Sequence, residues 1–280
     1  MIENLKDNLG SLNKALEMFY LIKDLKPVCR FGFYESDIDR IKELCSANDL
    51  NIATSNFKVL LDSRENINDF NNKGYKTSLL NPFPGMIFTY ISKDLELAEL
   101  AKYLENANRI EKLGELLGYP ACCVDFFINN VEEQSRKNND FVLPVLKNSE
   151  GFVFPKEMNI AARYFDFCLL PFFPHSFNCG ESLKLARAFS SVIADHNPYL
   201  ADRILGKLRC GVIYTENAGV CLLENAKLKG EYLNFDKAVS SQPGRLLDEL
   251  NSYGRINILD KHNFIIGPHF LKNVGVMVFE

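Results

Sequence analysis

The chain has 280 residues, of which 47% are hydrophobic and 24% charged, with 22 Phe and no Trp. That length suits one large domain or two closely packed ones, and the composition excludes disorder and collagen-like repeats. A formal charge of -4 leaves no basic excess to neutralise a phosphate backbone, so nucleic acid is not expected as a partner.

From Asn4 to Lys26 apolar residues recur at helical spacing through Leu5, Leu9, Leu12, Leu16, Phe19 and Ile22, which predicts one amphipathic helix closed by Pro27. Cys29 to Tyr34 reads as a short strand and Ile38 to Ala47 as a helix. Residues 62–84 are rich in Asn, Gly and Pro and predict a long surface loop. Met86 to Ile91 resumes as a strand, and Ser92 is expected to cap a helix over Asp94 to Leu104.

Helices follow over Arg109 to Leu117, Ala121 to Glu133 and Glu181 to Ala194, with a further one after Pro155 that carries Met158, Ile160, Ala161, Tyr164 and Phe165. The tail turns β-rich in Cys210 to Thr215, Val220 to Glu224, Arg255 to Leu259, Phe264 to Ile266 and Val274 to Phe279, with a helix at Leu246 to Leu250. The expected class is α+β: an N-terminal mixed α/β layer, central helices and a mostly antiparallel C-terminal sheet. Two regions are expected, 1–108 and a motif-bearing 109–280.

The opening residues Met1 to Asp7 are charged, without a secretory leader, and the apolar run Phe167 to Phe173 is far shorter than the ~20 residues of a membrane helix. A cytoplasmic protein without membrane contact is expected. Its eight cysteines then read as thiols rather than disulfides. Cys29, Cys45, Cys168, Cys210 and Cys221 each sit in an apolar run and are assigned to the core.

The other three stand at helix starts. In Gly118-Tyr119-Pro120-Ala121-Cys122-Cys123-Val124-Asp125-Phe126-Phe127, glycine closes one helix and proline, expected at the first helical position, opens the next, so both cysteines enter the first turn. Unpaired amides there favour a thiolate. Cys179 precedes the helix at Glu181 in the same way, at the end of Pro174-His175-Ser176-Phe177-Asn178-Cys179.

These two stretches resemble a prokaryotic family of uncharacterised function that shares a Gly-Tyr-Pro-x-Cys-Cys motif, a likeness specific to roughly residues 110–190. Where this chain has His175 the family's second motif has Cys. The resemblance implies importance of these positions and assigns no reaction.

Two chemistries fit. The first is a thiolate enzyme with a layout similar to papain-like and transglutaminase-like proteins: Cys122 or Cys123 as nucleophile, His175, His262 or His269 as base, and Asp260 or Asn263 orienting it. It would transfer acyl or amide groups through a thioester on a small-molecule or carrier-bound acyl substrate, with no cofactor. The second is a metal site of Cys122, Cys123, His175 and Cys179 for zinc, iron or an iron–sulfur cluster. Adjacent cysteines lack the Cys-x2-Cys spacing of structural zinc, which in sequence favours a cluster over a single ion. A third reading is a non-catalytic interaction protein with a buried thiol cluster. Walker and Gly-x-Gly-x-x-Gly patterns are missing, which disfavours nucleotide chemistry.

Overall fold

A computed structural model of the protein describes residues 1–61, 74–137 and 139–280. They form two compact units, one of residues up to 132 and one from residue 133 onward. The class is α+β. Among the described residues no helix is long and apolar enough to cross a membrane.

The first unit opens with α1 (Ile2–Leu9) and α2 (Leu12–Ile22). The single helix expected over Asn4 to Lys26 is broken because Gly10 adopts a left-handed conformation (φ 68°) and the Ser11 hydroxyl accepts the Lys14 amide, restarting the helix. After β1 (Cys29–Tyr34) and α3 (Ile38–Ser46) come β2 (Asn51–Leu61), β3 (Gly74–Ser78) and β4 (Met86–Ser92). They make an antiparallel sheet in the order β1-β4-β2-β3.

The loop expected over residues 62–84 is thus in part a strand, since residues 74–78 pair with β2; residues 62–73 of that expectation lie outside the described residues. Three helices follow: α4 (Leu95–Asn106), α5 (Ile110–Leu116) and α6 (Ala121–Arg136). Asp94, not Ser92, caps α4 by accepting the Glu96 amide, while the Ser92 hydroxyl donates to the Pro27 carbonyl. Ala98 and Ala101 of α4 pack against Ala53 and the buried Tyr90 of the sheet, and small residues there let helix and sheet approach closely. Leu113 and Leu117 extend this core, with Tyr119 packed against it.

The second unit contains α7 (Val142–Lys147), β5 (Val153–Phe154), α8 (Gly180–His196) and α9 (Pro198–Leu208). The helix expected after Pro155 is instead two short 3-10 turns, Lys156–Met158 and Ile160–Phe165. Asn159 separates them: its side chain accepts the Ala162 amide and donates to the Leu208 carbonyl, taking the backbone out of helical register. Asp166 ends the second turn in a left-handed conformation (φ 60°).

The tail holds β6 (Gly211–Thr215), β7 (Gly219–Glu224), β8 (Lys227–Lys229), β9 (Tyr232–Asn234), β10 (Lys237–Ser240), α10 (Arg245–Tyr253), β11 (Arg255–Asp260), β12 (Asn263–Ile266), β13 (His269–Lys272) and β14 (Gly275–Phe279). They form two five-stranded sheets, β10-β7-β6-β14-β5 and β13-β12-β11-β9-β8, antiparallel except for the β14–β5 pair. Ile213, Leu223 and Val276 of the first share one apolar core with Leu233, Ile258 and Phe264 of the second.

Candidate metal centre

Helix α5 ends at Leu116 with Leu117 as its C-cap, and Gly118 turns the chain with φ 78°, a conformation in which a side chain is strained. A Cβ at Gly118 would also meet Pro27 Cδ at 3.3 Å. Gly114 lets α5 and α6 touch, since a Cβ there would lie 2.7 Å from Val124 Cγ2. Pro120 stands one position ahead of the first helical residue rather than on it, and its carbonyl accepts the Cys123 and Val124 amides. Cys122 and Cys123 therefore fall in the first turn of α6 with their sulfurs 3.9 Å apart. Cys123 is buried and Cys122 is more open, between half-buried and exposed.

Beneath this corner lies a buried charge cluster that sequence reasoning missed. Lys26 Nζ donates to Glu17 at 2.5 Å and sits 5.2 Å from the centre of the Tyr119 ring. Burial pulls the Lys26 amine down, and the Glu17 carboxylate more than reverses this, so Lys26 stays an ammonium. The Tyr119 ring thus rests against a fixed cation two residues ahead of Ala121. Nothing in the spacing of residues 17, 26 and 119 announces the contact.

His175 and Cys179 are held by a separate device. Ser149, at the end of α7, donates to the Val145 carbonyl and accepts the Phe177 amide at 2.8 Å and the Ser176 hydroxyl at 3.3 Å. Asn148 donates to the His175 carbonyl, and Asn178 accepts the Glu150 amide. Phe177 packs on Phe154 and Phe279, with ring centres 4.8 and 5.4 Å away. Lys261 fixes α7 in turn, donating to the carbonyls of Leu146, Lys147 and Ser149 where the helix dipole ends. Cys179 caps α8, its sulfur accepting the Ser182 amide at 3.4 Å.

Cys122, Cys123, His175 and Cys179 each offer one ligand atom, and these four atoms all lie within 4.8 Å of one another. Three thiol sulfurs and an imidazole are the donor set of a soft or borderline divalent ion. No family model, curated protein or solved structure matches the chain significantly.

The remaining candidates have other partners. Asp260 accepts the His262 backbone N–H at 2.6 Å and the Asn263 side-chain amide, which hold its carboxylate below the usual range. The His262 ring Nδ1 donates to the Val274 carbonyl at 3.1 Å. His269 Nε2 lies 3.7 Å from Glu249 and 3.4 Å from Arg245. Neither histidine belongs to the four-residue group.

The five cysteines assigned to the core are buried. Burial pushes the Cys45 and Cys210 thiols up to about 12 and raises those of Cys29 and Cys221, which keeps these four protonated and inert.

Proposed function

We propose that the protein binds one thiophilic divalent ion of the zinc type, with Cys122, Cys123, Cys179 and His175 as its four ligands. One observation carries this reading: the 4.8 Å limit on all distances between the ligand atoms. Around a single tetrahedral ion with metal–sulfur bonds of about 2.3 Å, two sulfurs stand about 3.8 Å apart. The thiolates of a four-iron cubane sit on different irons and stand about 6 Å apart. The 3.9 Å between Cys122 and Cys123 matches the edge of one tetrahedron. That value answers the objection from their adjacency, because the first turn of α6 splays the two side chains enough to meet one ion without a Cys-x2-Cys spacing.

A set of four protein ligands matches the closed zinc sites that stabilise folds. Metal binding by these four residues then contributes to the ordering of the segments that carry them. The absence of disulfides among eight cysteines supports operation in a reducing compartment such as the cytoplasm.

Titration of the reduced, metal-free chain with cobalt tests this. One equivalent is expected to bind, with thiolate-to-metal charge transfer in the near ultraviolet and intense tetrahedral d–d bands that vanish on adding one equivalent of zinc. Cys123→Ser and Cys179→Ser are expected to weaken these bands. Weak octahedral bands, or an unaltered spectrum in both variants, would rule the assignment out.

The second reading keeps Cys122 as the nucleophile of an acyl transfer, favoured by its exposure and by His175 in the same group. It requires a metal-free active protein, which the same titration separates: acyl transfer by the metal-free chain that zinc abolishes would establish it.

A further inference from the structure

We propose that Cys122 Sγ is the reactive atom of this centre, a metal-held thiolate that accepts an alkyl group from a soft carbon electrophile; the proposal rests on the metal reading above. Three thiolates and a neutral imidazole around a divalent ion leave a net charge of about -1, so electron density remains on sulfur at neutral pH. An ordinary cysteine at that pH is mostly protonated and a poor nucleophile.

The three sulfurs are not equivalent. Cys123 and Cys179 are each 3% exposed, which shields them from an incoming carbon. Cys179 Sγ also accepts the Ser182 amide, and a hydrogen bond to a thiolate draws density away from the sulfur. Cys122 is the least buried of the three, half-buried or exposed where the other two are buried.

In the step, a lone pair of Cys122 Sγ forms a sulfur–carbon bond while the bond from that carbon to its leaving group breaks, and the leaving group departs with the electron pair. No proton or oxidant takes part. The thiolate becomes a thioether, a neutral and weaker ligand, and the centre goes from about -1 to neutral. Alkylation therefore loosens the ion. The substrate class is an activated methyl or other small alkyl group on a good leaving group, with the protein as acceptor.

The test uses the zinc-loaded full chain, with zinc content measured first, treated with limiting iodomethane and followed by peptide mass spectrometry. Cys122 is expected to be methylated at least about ten-fold faster than Cys123 or Cys179, with zinc released in step. Cys122→Ser is expected to remove the fast phase. A chain that holds one zinc yet reacts equally at all three sulfurs, or fastest at Cys123 or Cys179, overturns the proposal and leaves the metal reading standing. A chain that holds no zinc before iodomethane is added overturns both.

Discussion

The cysteines of the protein's interior and those at its helix starts are the same residue in two different roles. Cys45 and Cys221 lie among apolar side chains on α3 and β7, and burial alone accounts for their raised pKa values; for Cys221 the Ser240 side chain opposes it only in part. Cys122 and Cys123 occupy a first turn and Cys179 a cap, where the Ser182 amide points at the Cys179 sulfur and the other ligand atoms are close to all three. Burial does not separate the two groups, since Cys123 and Cys179 are as buried as the interior set. What separates them is the number of converging donor atoms, and the proposed metal site rests on that convergence.

The sharpest way to break this comparison is to remove a ligand from one group and a thiol from the other. Cys123→Ala is expected to lower zinc affinity by at least ~100-fold, measured by competition with a chelator, because a lost ligand costs no less than an altered outer-shell partner. Cys221→Ala is expected to leave zinc affinity unchanged. A drop in affinity for Cys221→Ala would show that the two groups are not independent.

Next in size is the corner that aims Cys122 and Cys123. Lys26→Met leaves Glu17 buried without its cation, a change expected to destabilise the fold by about 3–5 kcal/mol in urea unfolding. The double change Lys26→Met with Glu17→Leu should recover most of this loss if the pair only anchors Tyr119, since an apolar pair of similar volume packs in its place.

Smaller still is a pH effect at the start of α7. Burial raises the Asp140 pKa against the pull of the Val142 amide, Tyr214 and Arg163. A raised carboxyl favours folding fully only below the unfolded value of about 3.9, and that contribution is lost as pH rises through the folded pKa. Asp140→Asn keeps an acceptor for the Val142 amide and removes the buried charge. It is expected to raise Tm at neutral pH and to lose that advantage near pH 4; equal gains at both values would contradict the assignment. The smallest effect belongs to the interior thiols, where Cys45→Ala is expected to cost about 1 kcal/mol or little more, as a single small group is deleted from a packed site.

The starts of α6 and α8 are legible in sequence because Gly118, Pro120 and Cys179 are local signals that need no distant partner. The break at Gly10 is not, since Leu9 and Leu12 continue the apolar rhythm across it and only the backbone conformation shows the stop. Strands β8 and β9, three residues each, and β3, with little burial on either face, carry too weak an alternation to read. The four residues proposed as ligands can be named from their types and positions. Their chemistry cannot, because a single ion and a cluster differ by some 2 Å in sulfur separation, a quantity that residue spacing does not encode. The supports supplied by Lys26, Ser149 and Lys261 are long-range and invisible to any local pattern.

The measurement that bears most directly on the central claim is X-ray absorption at the metal edge of the protein purified under reducing conditions, together with its metal content. One zinc per chain with three sulfurs at about 2.3 Å and one nitrogen at about 2.0 Å is the expected result. An iron edge with a second iron as neighbour, or a chain that carries no metal and takes none up, would contradict it.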